Sequence, residues 1–436
     1  MRPYLKQPFL LLLLCLLFTI ASSYRLSPQK YYRVRFARNT LTASAATVAG
    51  GFGRDSWTLM SFALDYWRSS DNPRLYSELL IKQTYKYLYP PTALLIPKTL
   101  DDLHVRQDPF YNNVSIAFLV LTALAVGGVA LWSLRIYGGM RPAWHEQALL
   151  FVLAGLLALT FYPVVRGAAL GQLQTWLNAL FAVSLLCYVT GRRVSAGAAL
   201  GLMALGKPQY ALFLLWGLLR RDKRLLAGML GAISVGLIAS LATFGLTMHF
   251  DYVRALRFLS GRGESFHANQ CVYGLLGRLY SVTQPALFNN LDWDWRNYPP
   301  FRLPLYLATL VSSIAFLALA LLRGRAEPAI EAPAGFCQMA LATTLAAPIA
   351  WEHHYGILLP IFAWLWPLLW FDGRYRHASG WRVAVVICYV VASSFISGLN
   401  ALASTWFNVL QSYLFFAVLT VFALLLTLRM RRAQEM

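Results

Sequence analysis

"SAGAALGLMALGKPQYALFLLWGLL", residues 195–219, is an apolar run long enough to cross a bilayer, and basic segments flank it: "GRR" at 191–193 and "RRDKR" at 220–224. Short loops rich in Lys and Arg stay on the cytoplasmic side. A single crossing would put one of these two on the wrong face and invert everything downstream. Gly206, Lys207 and Pro208 interrupt the run near its middle. Proline lacks the backbone N–H and disfavours helical geometry in the residue before it. The expectation is a re-entrant hairpin over 195–219: two half-helices that enter and return on the same side, with Lys207 at the deep tip.

The rest of the chain supports a membrane reading. Of 436 residues, 58% are hydrophobic and 13% charged, whereas a soluble domain carries about a quarter charged residues. Apolar runs recur from end to end and nothing alternates with a two-residue period, so the fold class is all-α and polytopic rather than a β-barrel. The net charge of +20 sits mainly in loops between those runs, which favours anionic lipid head groups over nucleic acid as the partner. Five scattered cysteines give neither metal-ligand spacing nor a disulfide framework. No linker splits off a soluble domain, so residues 1–436 read as one membrane-embedded domain.

About ten spans are expected, near 8–24, 112–134, 146–166, 169–190, 225–246, 303–322, 333–350, 354–371, 382–401 and 409–428. With the hairpin in place, "RRDKR", "RGR" (323–325), "DGRYR" (372–376) and "RMRR" (429–432) all fall on the cytoplasmic side, as do both termini. Two large outer loops follow, 25–111 and 247–302. The first carries twelve Lys or Arg, which long loops tolerate outside. Within it, "YPPTALLIPKTL" (89–100) is too short to span and should lie along the outer interface. The first run follows Arg2 and Lys6 and has a signal-peptide alternative ending near "IASS".

This topology gathers the unusual polar residues on one face. Asp55, Tyr89, Pro90 and Pro91 belong to the first outer loop. Arg166, Gly171 and Gln172 sit at an outer turn, Lys207 at the hairpin tip, and Asn269 and Gln270 in the second outer loop. Glu352, His353 and His354, in "AAPIAWEHHYGILLP" (346–360), form a further outer turn. Independent solvated turns would scatter over both faces, so a shared outer pocket is expected. Ionisable groups at bilayer depth cost roughly 2.5–3.5 kcal/mol each, and the Glu-His-His triplet has several readings: a solvated hairpin tip, a proton relay, a metal site or pocket residues. Adjacent helical residues diverge by about 100°, no HExxH accompanies them, and the spans hold almost no further acids, so neither metal nor relay is expected. "LDWDWRNYPPF" (291–301) has the composition of an aromatic interfacial belt, with an acceptor contact as the alternative.

Taken together, the early aspartate in "GRDSWTLMSFALDYW" (53–67), "LYPP" (88–91), "GQLQTWLNALFAVSLL" (171–186), the "GKP" hairpin, "NQ" (269–270) and "APIAWEHHYGILLP" (347–360) resemble glycosyltransferase family 87. This is the polyprenol-phosphate-mannose-dependent mannosyltransferase group of the GT-C superfamily, and the match runs in order from about residue 50 to 365. The family places its acidic residue one helix after the start, which implies that 8–24 is a retained span. The chain departs from the pattern at "SSDNPRLY" (69–76), at Glu352 where aspartate is expected, and in the longer, more basic stretch 25–54. These departures bear on the acceptor more than on the reaction.

The resemblance implies a hexosyltransferase moving a sugar, mannose foremost, with inversion from a polyprenyl-phosphate donor to a glycan or glycolipid acceptor at the outer face of the cell membrane, without a cofactor. Asp55 is then the base that takes the acceptor proton. Its structural alternative is a cap on a helix beginning at Ser56; Asp65 competes as base but stands three residues before Arg68, a helical pairing distance. Lys207, His353, His354 and Arg166 would bind the donor phosphate, and Tyr89, Pro90, Gln172, Asn269, Gln270 and Glu352 would line the pocket. The rival readings are a flippase or transporter of lipid-linked glycans, whose polar residues would follow a path through the spans, and a glycan polymerase or ligase.

Overall fold

The computed structural model describes residues 2–25, 40–70, 74–291, 297–322, 332–375 and 377–430. The segments "RGR" and "DWDWR" lie outside them, as does part of "SSDNPRLY". The described residues are helical, with one isolated antiparallel bridge between Asn269 and Trp351. The N-terminal part comprises α1 (Pro3–Arg25), α2 (Thr40–Val48), α3 (Asp55–Ser69), a π-helical turn at Ser77–Lys82, and α4 (Pro91–Asp102). Then come α5 (Gln107–Gly138), α6 (Trp144–Thr160), α7 (Tyr162–Leu170), α8 (Gln174–Val189), α9 (Arg193–Gly206) and α10 (Leu212–Leu219). The remainder is α11 (Lys223–Ser260), α12 (Val272–Thr283), α13 (Leu303–Leu322), α14 (Ala332–Leu345), α15 (Leu358–Phe371), α16 (Ser379–Ala392) and α17 (Tyr413–Met430).

Six stretches among the described residues are long and apolar enough to cross a bilayer: Tyr4–Ala21, α5, α11, Leu303–Leu321, Glu352–Phe371 and Trp406–Leu428. The pair α6 and α7, bent by 63°, supplies a seventh, and α8, α9, Pro208–Leu219 and α16 are shorter apolar helices. This is an all-α polytopic membrane protein.

The decisive stretch is built as its residues dictate. Lys207 is extended (φ −142°, ψ 102°) and ends α9, because Pro208 follows it. The chain continues through a 3-10 turn, Pro208–Ala211, into α10. Gly197 near the start of α9 and Gly217 near the end of α10 both lie against Leu225 of α11, so the two halves begin and finish at the same level. The break leaves the Leu205 carbonyl without its helical donor, and Thr92 Oγ1 of α4 takes it at 2.5 Å. α9 lies flush on α11 because Gly197 and Gly201, four residues apart, face the backbone of Leu225 and Met229, while Gly228 faces that of Val194. A Cβ at any of these would strike main-chain atoms. This is the small-residue packing of membrane helices.

Four boundaries depart from the sequence reading. The span expected at 146–166 breaks at Phe161, where Pro163 starts a new helix at an angle. The span expected at 225–246 does stop being regular there, since Gly245 is left-handed (φ 74°, ψ 167°), but the chain resumes as helix to Ser260. The second long loop is therefore helical at 246–260 and again at α12. α14 ends at Leu345 rather than 350, and α16 at Ala392 rather than 401.

Candidate active site

A cavity of about 1010 Å³ opens where α3, α7, the tip of the α9–α10 hairpin, α11, α13, α14 and the Trp351–His354 segment meet. That is larger than the volume of most small-ligand pockets, and it leaves room for two substrates. Asp55, Tyr89, Arg166, Gln172, Lys207, Glu352, His353 and His354 all line it. The sequence placed these residues on one face, and the fold brings them to one wall.

Asp55 is the first residue of α3, preceded by Arg54 in the N-cap position with no side-chain cap. Its carboxylate does not cap α3 as the alternative reading had it; it accepts from Gln172 Nε2. Gln172 is fixed in turn. Its Oε1 accepts from Ser56 Oγ at 2.9 Å and from Tyr89 OH at 2.9 Å, and Ser56 Oγ accepts from the Leu173 N–H at 3.0 Å. Main-chain bonds weld the two strands of chain together: Gly53 N–H donates to Ala169 O at 2.9 Å and Ser56 N–H to Gly171 O at 3.2 Å. Such contact requires glycine on both sides. Gly171 is left-handed (φ 68°) and a Cβ on it would meet the Gly53 carbonyl, while one on Gly53 would meet the Leu170 carbonyl. Behind Asp55, Trp57 stacks on Tyr111 of α5 at 4.2 Å and packs on Trp176 of α8 at 5.0 Å, holding the start of α3 in place. Burial raises the Asp55 pKa above its ordinary value, opposed by the Gln172 hydrogen bond and the positive charge of Arg166. Asp65 is exposed, and Arg68 pairs with Asp101 and Asp102 rather than with it.

At another part of the wall, Lys207 Nζ donates to Gln174 Oε1 at 2.7 Å and lies 2.5 Å from His354 Nε2. With Lys207 as an ammonium, which can only donate, Nε2 accepts and the ring proton sits on Nδ1. Gln174 Nε2 continues to Asn178 Oδ1 at 2.9 Å, and Asn178 Nδ2 reaches the His353 carbonyl at 3.3 Å. The solvated-tip reading of the triplet is overturned: Glu352, His353 and His354 are 2%, 5% and 7% exposed. They form a 3-10 turn, Glu352 Oε2 accepts from Tyr162 OH at 3.0 Å, and Glu352 N–H donates to Ala268 O at 3.0 Å. Glu352 Oε1, His353 Nε2 and His354 Nδ1 are buried without a hydrogen-bond partner. No cluster of three metal-ligating side chains occurs among the described residues.

Pro90, Asn269 and Gln270 lie behind the wall rather than on it. Pro90 precedes α4. Asn269 and Gln270 are fully buried and bind main chain: Asn269 Nδ2 donates to Glu264 O and Pro348 O at 2.8 and 3.1 Å, and Gln270 Nε2 to His267 O and Gln411 O at 2.6 and 2.8 Å. They tie the 264–271 loop to the segment carrying the triplet. The sequence reading also passed over Lys86, which lines the cavity and pairs with Glu264 at 2.6 Å, both side chains being under 8% exposed. The partners stand 178 residues apart; the one local hint was a lysine set among tyrosines in "TYKYLYPP".

Comparison with known proteins places this architecture. The model of glycosyltransferase family 87 matches residues 87–351, a stretch holding Tyr89, Arg166, Gln172 and Lys207 and flanked by Asp55 and Glu352. A polyprenol-phosphate-mannose-dependent alpha-(1-2)-phosphatidylinositol mannoside mannosyltransferase from Mycolicibacterium smegmatis is 24% identical over 308 residues, which are 69% of this chain and 64% of the relative. The chain thus spans under two thirds of that relative's length. On the family match, this chain belongs to glycosyltransferase family 87.

Proposed function

We propose that the protein transfers a hexose, mannose foremost, from a polyprenyl-phosphate donor to a glycan or glycolipid hydroxyl at the outer face of the cell membrane, with both termini in the cytoplasm. The observation that carries the reading is a cavity that brings the carboxylate of Asp55, held by Gln172, and that of Glu352 together with a set of cationic and donor groups, Lys207, Arg166, His353 and His354. The mannose preference and the lipid-phosphate donor lean on the relative's name, and the outer-face placement on loop charge.

The acceptor hydroxyl attacks C1 of the sugar, and Asp55 takes the hydroxyl proton as the new C–O bond forms. The bond from C1 to the phosphate oxygen breaks on the opposite side, giving inversion. The electron pair leaves with the polyprenyl phosphate, whose charge Lys207 and Arg166 neutralise. Gln172 holds the Asp55 carboxylate in one orientation before the substrate arrives. Tyr89 and Trp351 offer aromatic surface on the cavity wall.

The test is transfer of radiolabel from polyprenyl-phosphate mannose, by purified protein in nanodiscs, into a crude acceptor-lipid extract. Label should move into lipid. No transfer with mannose and arabinose donors alike, together with no donor binding, would contradict the reading and favour a transporter.

A further inference from the structure

Arg278 of α12 is fully buried and does not line the cavity. Among the described residues its guanidinium hydrogen-bonds to no carboxylate, although the charge of Glu352 reaches it. Nη1 donates to the carbonyls of Phe266, His267 and Asn269 at 3.2, 3.4 and 2.9 Å, and Nη2 donates to Ser412 Oγ at 2.6 Å, while Nε is unpartnered. A buried cation whose hydrogen bonds all go to neutral groups is expensive, and apolar packing would serve plain stability as well or better. What the arginine does provide is a rigid fork, with Nη1 on three carbonyls of one short loop and Nη2 on Ser412.

That loop is the backing of the cavity wall. Phe266 and Ala268 line the cavity, Ala268 O accepts the Glu352 N–H, and Asn269 bridges Trp351. Gln270 N–H donates to Ala350 O at 2.8 Å, and Ala350 N–H to Asn269 Oδ1 at 2.8 Å. α12 is itself held from the far side, since Asn408 Nδ2 donates to the Arg278 carbonyl at 2.5 Å. The chain of contacts therefore runs from the 406–412 turn through Arg278 to the loop at 266–270 and on to Trp351 and Glu352. We infer that Arg278 is a positioning residue: it acts through this loop to set Trp351 and Glu352 against the bound sugar, without touching substrate. Its charge is also one of those that reach Glu352 and His267. Burial and the charges of Arg278 and Arg166 push His267 down to about 3, so the loop carries a neutral imidazole there.

The test compares wild type, Arg278→Lys, Glu352→Gln and the double variant in nanodiscs, by hydrogen exchange and by transfer kinetics. Lysine keeps the charge and loses the fork. Exchange in Arg278→Lys should rise in peptides covering 264–271 and 349–354 and stay unchanged in α5 and α8. Turnover should fall on the order of 10²-fold, the effect of misplacing a reacting group by about 1 Å, with donor KM changed far less. The double variant should be no slower than the slower single, as expected for residues acting as a unit. Exchange that rises everywhere or nowhere, or two rate losses that multiply, would overturn the inference. If Arg278→Lys does not assemble, Ser412→Ala removes one acceptor and keeps the charge; it should show the same two-peptide pattern more weakly, and no change would count as refutation. The kinetic arm rests on the glycosyl-transfer reading. Should wild type transfer no sugar, that reading fails and the exchange arm alone decides the role of Arg278.

Discussion

The two chemical ends of the cavity are built differently. Around Asp55 the carboxylate is held and the backbone is clamped: Gln172 accepts from Ser56 and Tyr89 and donates to Asp55, and two glycines let main chain touch main chain. Around Lys207 and the Glu-His-His turn, three buried polar atoms have no partner. A buried unsatisfied group costs about 1–3 kcal/mol, so the second end is incomplete as it stands, whereas the first is finished. The difference suits the proposed chemistry. A base has to be oriented before the substrate comes, whereas the two histidine nitrogens can donate to an incoming anion and Glu352 Oε1 can accept from a sugar hydroxyl.

Asp55→Asn should break the finished end with the largest effect. The amide still accepts from Gln172, so the fold and thermal unfolding should hold, while turnover falls about 10²–10⁴-fold, the range for a general base. Turnover within a few-fold of wild type would remove Asp55 from that role. Lys207→Ala strikes the incomplete end and should weaken donor affinity about 10–100-fold, the loss of one charge-assisted hydrogen bond. Unchanged donor binding by titration would count against phosphate recognition there.

Gly171→Ala sharpens the comparison. A left-handed alanine costs about 1–3 kcal/mol, and its Cβ would push Gly53 and Asp55 away from Gln172. Turnover should drop with donor affinity retained; the reverse pattern would mean that the two ends are not mechanically separate. The smallest expected effect is a pH shift. Transfer needs ionised Asp55, so activity rises as pH passes upward through its pKa. Arg166 lowers that pKa, so in Arg166→Gln the acidic limb of turnover at saturating donor should move to higher pH. A limb that stays put or moves down would detach Arg166 from Asp55.

Much of this was legible in the sequence, for identifiable reasons. Proline chemistry at Pro208 acts locally and foretold the break between α9 and α10, while the sign of the flanking loops was the ground for expecting a return to the same side. The same loop-charge logic put Asp55, Arg166, Lys207 and the triplet on one face, and they do line one cavity. Other features depend on contacts between distant segments, which leave no local pattern. Lys86 finds Glu264 across 178 residues, and Arg278 reads as an ordinary basic residue until the loop it holds is seen. Asn269 and Gln270 were noticed for the right neighbourhood, yet their amides are consumed by carbonyls behind the wall. Hydropathy counted the length of α11 up to Gly245 and could not foresee that the helix resumes, since the continuation to Ser260 mixes apolar residues with Asp251, Arg254 and Arg257.

The most direct test of the central claim, a preset base facing an anion site in one cavity, measures donor binding and sugar transfer on the same nanodisc preparation of Asp55→Asn. The account predicts that polyprenyl-phosphate mannose binds with wild-type affinity and that its label is transferred about 10²–10⁴-fold more slowly. Transfer within a few-fold of the wild-type rate, or loss of donor binding together with transfer in a protein that unfolds at the wild-type temperature, would contradict it.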